Sequence, residues 1–353
     1  MNKYSEIGSE FWDFPSQNHT TNRMIGNTEF VLSGRTALEL VARDLKAERG
    51  IKSICLPAYC CDSMIRPFIK ADLNLRFYDV VLSSEGLHRK LPQNHGCDVV
   101  LLLDYFGFSQ QETAELAERE RLNGTSVILD CVQSFFSESD SYEFADYTIM
   151  SWRKWFFSCA AAATKRSGAW FVKPSKHANE EYVSMRNTAA KQKAAFLKNG
   201  TGVKNTFLQG FMKAEKLLND DFAGYCADTN SVELLQNLNT PFLKNRRRAN
   251  ATVIYDVLNE LNDSRIRPLF LKMGEGDVPM FVPVLVRPAL RKKLRQFLIE
   301  RQVYCPIHWP ETHTGGGNAL YEQEMSLICD QRYDPIDIQR EMQLIKEFFC
   351  CYA

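Results

Sequence analysis

Apolar residues in the first half of the chain follow two spacings. Behind Val31-Leu32-Ser33-Gly34-Arg35-Thr36, the positions Ala37, Leu38, Leu40, Val41 and Leu45 recur at helical intervals with charges between them, which predicts an amphipathic helix. Shorter apolar segments at Ile51 to Leu56, Leu73 to Val80, Val99 to Leu103, Ser126 to Leu129, Tyr147 to Met150 and Gly168 to Val172 predict strands. Val99 to Leu103 is an unbroken apolar run, as expected of a strand buried on both faces. Helices are predicted around Ile65 to Ile69, despite Pro67, and over Gln110 to Arg121. Strands alternating with helices in this way predict an α/β domain with a large, mixed but mostly parallel sheet. The first thirty residues show no regular pattern.

The second half has another texture. Glu180 to Asn219 is helical with a break near Gly200 to Gly202, and Arg247 to Leu261 is amphipathic. Val278 to Val286 predicts a strand, and Pro279 and Pro283 place it at a sheet edge. Helices at Ala289 to Glu300 and Ile336 to Phe349 flank a short strand at Val303 to Cys305. The expected division is an N-terminal arm and large domain over 1–240 and a smaller α+β domain over 241–353, and 353 residues suffice for both.

Charge and cysteine usage narrow the classes. Lys plus Arg and Asp plus Glu are 43 each, so no overall cationic field points to nucleic acid or an anionic membrane. The basic run Lys244 to Arg248 is expected to be a solvated helix start. The 11 cysteines include no Cys-x-x-Cys pair, and with 6 histidines no finger or ribbon spacing emerges. They are expected to act mainly as small buried hydrophobes, with no metal site. No apolar signal core or membrane-length run is evident, so a cytoplasmic, soluble protein is expected.

Four segments carry candidate chemistry. Ser33-Gly34-Arg35-Thr36 opens a helix, where backbone amides suit a phosphate and Thr36 adds a hydroxyl, although any strand-to-helix turn looks similar. Asp130, ending a buried strand with Gln133 close behind, needs a partner such as a protonated heterocyclic nitrogen, or else serves as a cap or ion pair. Ser151-Trp152-Arg153-Lys154 follows the next strand; there a partly neutral lysine could meet a bound aldehyde, or Arg153 and Lys154 could be an ordinary surface pair. Ile307-His308-Trp309-Pro310 is either a substrate-facing loop or an aromatic turn packed on the body.

Taken in order, these segments resemble the DegT/DnrJ/EryC1/StrS aminotransferase family, in a divergent branch with a Ser-x-Arg-Lys site. The resemblance runs from about Asn27 onward and includes Leu56-Pro57-Ala58-Tyr59, Asp104-Tyr105-Phe106-Gly107, Asp146, Tyr304 to Pro310 and Asp330-Gln331-Arg332-Tyr333. It implies the fold of type I pyridoxal 5'-phosphate (PLP) transferases. It implies that Gly34, Arg35, Thr36 and Ser151 hold the cofactor phosphate, Asp130 the ring nitrogen and Gln133 the ring hydroxyl, with Lys154 as the Schiff-base lysine. His308 and Trp309 would face the substrate. The implied partners are an amino-acid donor, a keto or aldehyde acceptor such as a nucleotide-linked keto sugar, and a second copy in a homodimer. Dehydration, aldol cleavage and a non-catalytic binding role are alternatives on the same scaffold.

Three departures from the family pattern stand out. The lysine follows the serine by three residues instead of five, which requires a shortened loop. Ala160 to Ala163 replaces a glycine-rich turn, so that turn should be rebuilt. The ring-stacking aromatic is missing near Cys61, leaving Tyr59 as the candidate substitute.

Overall fold

A computed structural model describes residues 6–13, 27–84, 86–309 and 319–351. Pro310 of the aromatic segment lies outside them. In chain order the elements begin with β1 (Ile7–Gly8), β2 (Asn27–Val31), α1 (Gly34–Arg49), β3 (Ser53–Pro57), α2 (Asp62–Lys70), β4 (Asn74–Ser83) and β5 (Gly86–Lys90). They continue through β6 (Val99–Leu103), α3 (Gln111–Leu122), β7 (Ser126–Asp130), β8 (Tyr147–Ser151) and β9 (Ala161–Lys165). Four helices follow: α4 (Glu180–Asn199), α5 (Lys204–Asp220), α6 (Thr229–Gln236) and α7 (Thr240–Leu261). The C-terminal part contains β10 (Ile266–Pro268), β11 (Val282–Val286), α8 (Pro288–Glu300), β12 (Val303–Tyr304), α9 (Ala319–Gln323), β13 (Glu324–Leu327) and α10 (Pro335–Cys351).

The main sheet has the order β2-β9-β8-β7-β6-β3-β4-β5. Strands β4, β3, β6, β7 and β8 run parallel, while β9 and β5 are antiparallel to their neighbours. The continuous apolar run of β6 lies centrally and is fully buried, as its composition requires. Helix α1 is capped at both ends. Ser33 Oγ accepts from the Thr36 amide, and Gly50, at φ 63°, donates its amide to the Lys46 carbonyl.

The predicted strand at Gly168 to Val172 is not one. The amides of Phe171 and Val172 donate to Asp44 Oδ1 at 2.6 and 2.9 Å, so a carboxylate replaces the ladder partner. The missing strand is β9, built from Ala161-Ala162-Ala163-Thr164-Lys165. The alanine segment is therefore part of the sheet and no rebuilt turn. Its small side chains suit a position between β8 and β2 with α1 packed across it.

The three-stranded sheet has the order β10-β11-β13, so β11 is central, against the edge position expected from its prolines. Pro283 fits because its carbonyl accepts from Leu269, just past the end of β10. On an antiparallel strand a residue's N–H and C=O point to the same side. The missing N–H therefore lies off the β13 ladder. The N-terminal segment also belongs to the fold: β1 pairs in parallel with β12.

Candidate active site

A cavity of about 530 Å³ opens between the C-terminal ends of the parallel strands and the β11–β13 sheet. This is where open α/β sheets bind ligands. Of the sequence-predicted residues, Gly34, Arg35, Asp130, Gln133, Ser151, Lys154, His308 and Trp309 line it, and Thr36 and Tyr59 do not.

Ser151 ends β8, and a single 3₁₀ turn, Trp152–Lys154, carries the chain to Lys154. The Trp155 and Phe156 amides close this turn on the Trp152 carbonyl at 2.8 and 3.0 Å. This is the shortened loop that the three-residue spacing demands. The Lys154 amine extends into the cavity and forms no ion pair or hydrogen bond with the described residues. Burial lowers its pKa, and the neighbouring Arg153 cation lowers it further. Lys165 is unsuited to the same role. It lies on β9, bound to Asp44 at 2.9 Å and Glu48 at 3.0 Å, away from the cavity.

Asp130 ends β7. Its Oδ1 accepts from the Val132 amide at 2.9 Å, and no cation of the described residues forms a salt bridge with it. Burial raises its pKa to about 7, against the pull of the Val132 amide and Lys154. A buried acid facing a cavity in this way suits a cationic partner brought by a ligand. Gln133 is oriented by its Oε1, which accepts from the Phe106 amide at 2.8 Å.

Gly34 brings the start of α1 against Ser151. A Cβ there would meet Ser151 Cβ at 3.3 Å and Val132 Cγ2 at 3.8 Å. Ser33 takes the Thr36 amide at 3.2 Å, while the Gly34 and Arg35 amides bond to no described residue. The Ser151 hydroxyl is likewise unbonded among the described residues. Free amides at a helix N-terminus beside a free hydroxyl make a phosphate cradle.

The Thr36 hydroxyl faces away from the cradle. It donates to the Phe222 carbonyl at 2.7 Å and shares a 2.8 Å hydrogen bond with Ser33. Asp146 is at the other end of β8, accepting from the Val127 amide at 2.9 Å.

The surrounding charges favour an anion. Glu215 bridges Arg35 at 2.9 Å and Arg153 at 2.8 Å. Burial raises its carboxyl pKa, but Arg153 and Arg35 more than offset this and hold it at about 2. Glu10 pairs with Arg186 at 3.1 Å. Arg35, Arg153 and Arg186 thus face Glu215 and Glu10, three cations against two carboxylates, before Lys154 is counted.

Tyr59 stands behind the cavity wall. Its hydroxyl donates to the His308 carbonyl, and its ring packs on Tyr105, Trp309 and Tyr321 with centroids 5.1–5.6 Å apart. It supports the aromatic segment, and Cys61 occupies the lining instead. His308 is fixed by a relay. Ser326 Oγ donates to Glu324 Oε1 at 2.6 Å, and its one proton is thereby used. It can then only accept from His308 Nδ1, at 2.9 Å. The imidazole proton sits on Nδ1, and Nε2 keeps its lone pair with no partner among the described residues. The His308 amide also donates to Glu324, at 2.6 Å.

Two parts of the lining gave no signal in the sequence. The N-terminal segment supplies Ser9, Glu10 and Phe11, held by Arg332 and by Lys193, whose amine donates to the Glu10 carbonyl at 2.7 Å. Arg247, expected on a solvated helix start, is fully buried. It donates to the carbonyls of Pro279 and Met280 at 3.2 and 2.9 Å and to Gln331 Oε1 at 2.8 Å.

No family model matches the sequence, and no curated protein matches it. Solved structures do match, and they share this architecture of a large, mixed but mostly parallel sheet with helices. The aminotransferase TlmJ from Streptoalloteichus hindustanus is 14% identical, over 92% of this chain and 86% of its own, with a TM-score of 0.66. A putative sugar aminotransferase from Streptococcus pneumoniae in its PLP-form is 14% identical, over 97% and 98%, with a TM-score of 0.64. Helicobacter pylori PseC, an aminotransferase involved in the biosynthesis of pseudoaminic acid, is 11% identical, over 97% and 99%, with a TM-score of 0.63.

Proposed function

We propose that this chain is a PLP-dependent aminotransferase of the DegT/DnrJ/EryC1/StrS type, moving an amino group from an amino-acid donor to a nucleotide-linked keto sugar. The observation that carries the reading is one cavity holding three complementary features. These are the Lys154 amine and the buried Asp130 carboxyl, neither in an ion pair among the described residues, and the cradle formed by Ser151 and the start of α1. They fit the aldehyde, ring nitrogen and phosphate of pyridoxal phosphate. The sugar acceptor is supported by the similar structures, of which several are described as sugar aminotransferases.

When bound, pyridoxal phosphate supplies an electron sink for a carbanion formed next to the transferred nitrogen. The chain's own residues do the rest. Ser151 Oγ and the Gly34 and Arg35 amides hold the phosphate. Asp130 keeps the ring nitrogen protonated, and the resulting ion pair holds its own carboxylate ionised. The Gln133 amide, oriented from the Phe106 backbone, would bond the ring hydroxyl. The Lys154 amine, partly neutral through burial and Arg153, would serve as the base that takes up and returns a proton beside the transferred nitrogen. His308 Nε2 accepts a hydrogen bond from a hydroxyl of the acceptor, with Trp309 beside it.

A homodimer in the cytoplasm completes the reading. Leu208 and Met212, four residues apart on α5, leave an exposed apolar pair that a second copy could cover. Among the described residues no helix is long and apolar enough to cross a membrane.

Half-reactions test the function. The PLP-loaded protein should lose its visible band on addition of L-glutamate and regain it with a nucleotide-linked 4-keto sugar. A band that stays unchanged with every amino acid tried would contradict amino transfer.

A further inference from the structure

A second group of reactive side chains lies outside the cavity. Cys55 is on β3, and His95 and Cys97 are on the segment leading into β6, at the end of that strand away from the active site. Two Sγ atoms and one imidazole nitrogen lie within 4.8 Å of one another, and all three residues are buried. The imidazole is already oriented. His95 Nε2 is 2.9 Å from Glu120 Oε2 on α3, and Glu120 pairs with Arg119 at 2.5 Å. An ionised carboxylate only accepts, so Nε2 carries the proton and Nδ1 the lone pair. Nδ1 lies on the cysteine side, where it accepts from the Cys97 amide at 3.1 Å.

Two thiols and an imidazole nitrogen are soft-to-borderline donors that suit zinc. A carboxylate on the far side of the ring is the usual orienting partner of a metal-bound histidine. We propose that Cys55, His95 and Cys97 bind one Zn²⁺ per chain, with Glu120 as the positioning residue. Binding replaces two S–H bonds with two Zn–S bonds. Two protons leave to solvent, no electron moves, and the metal displaces the hydrogen bond from the Cys97 amide. The two thiolate charges cancel that of the metal. Three protein ligands leave a fourth position for water, and burial keeps substrate away from it. The ion therefore ties β3 to the start of β6 and, through Glu120, to α3.

Without metal the thiols stay protonated. Burial raises Cys55 to about 12 and also raises Cys97, while Arg76 draws both down. The cluster shares no residue with the cavity lining, so this inference and the proposed activity can fail separately.

The test uses the full-length protein, cleared of metal with a chelator and then given ZnCl₂ or CoCl₂ alone. We expect about one zinc per chain to survive desalting. The cobalt form should show thiolate-to-metal charge-transfer bands and tetrahedral visible bands. Cys55→Ser and Cys97→Ser should each lose this retention, while Cys350→Ser/Cys351→Ser, which removes an exposed pair, should keep it. Retention that survives both buried substitutions, or no retained zinc in the wild type, would overturn the proposal. If the buried variants do not fold, X-ray absorption on zinc-loaded wild type decides. Two sulfurs at ~2.3 Å and an imidazole nitrogen at ~2.0 Å support the site, and a shell without sulfur refutes it.

Discussion

Replacing Asp130 with asparagine should stabilise the cofactor-free protein and weaken its hold on the cofactor. Burial raises the Asp130 pKa from 3.8 to about 7. A carboxyl whose folded pKa exceeds its unfolded value is fully tolerated below pH 3.8. Its contribution to stability falls as pH rises and is lost above pH 7. The separation corresponds to a penalty of about 4 kcal/mol at pH 8, an upper bound because the cavity admits water. Asparagine keeps the Val132 hydrogen bond and removes the charge. At pH 8 the cofactor-free variant should gain about 2–4 kcal/mol, or about 3–6 °C in Tm for a chain of this size. At pH 4.5 the gain should shrink to about 1 kcal/mol or less. With the cofactor the sign reverses, because loss of a charged hydrogen bond worth about 1.5–3 kcal/mol should weaken binding by about 10–100-fold. Thermal melts at the two pH values and a cofactor titration measure both. A variant less stable than wild type at pH 8, by the same margin as at pH 4.5, would refute the reasoning and make Asp130 a structural cap.

Other substitutions probe other parts of the account. Lys165→Ala should lose about 3–5 kcal/mol of stability, because Asp44 keeps a buried charge without its cation, yet the folded fraction should still take up cofactor; denaturation and absorption spectra report the two. Gly107→Ala should destabilise by at least about 2 kcal/mol in chemical denaturation, since φ is +87° and the new Cβ would lie 2.2 Å from the Val278 carbonyl oxygen. His308→Phe should raise KM for the keto acceptor by about 2–10-fold, one neutral hydrogen bond, and leave the glutamate half-reaction unchanged in stopped-flow traces. Ser326→Ala should have a smaller effect of the same kind, because it frees the imidazole tautomer.

What the sequence revealed depended on whether a residue's role was local. β6 was legible because a strand buried on both faces needs an unbroken apolar run. The start of α1 was legible at Ser33-Gly34-Arg35-Thr36, because the turn that opens a helix is set within a few residues. Lys154, Asp130, Ser151 and Gly34 were singled out at strand ends and a helix start, and the fold brings all four to one cavity. β9 was not legible, since alanine carries little strand preference and the selection for small size comes from packed neighbours. The strand expected at Gly168 to Val172 failed because Asp44, more than 120 residues earlier, takes its amides. Arg247 resembled a solvated basic run until the fold placed four acceptors around its guanidinium. The Glu324–Ser326–His308 relay and the Cys55–His95–Cys97 cluster also arise from strand pairing and chain return, which no local pattern encodes.

The central claim is that Lys154 is the residue that engages the cofactor covalently. Wild type, Lys154→Ala and Lys165→Ala should be mixed with pyridoxal phosphate, reduced with borohydride, digested and mapped by mass spectrometry. The account predicts a stable pyridoxyl label on Lys154 in wild type and in Lys165→Ala, and none at any site in folded Lys154→Ala. A label on Lys165, or a wild-type protein that takes none, would contradict it.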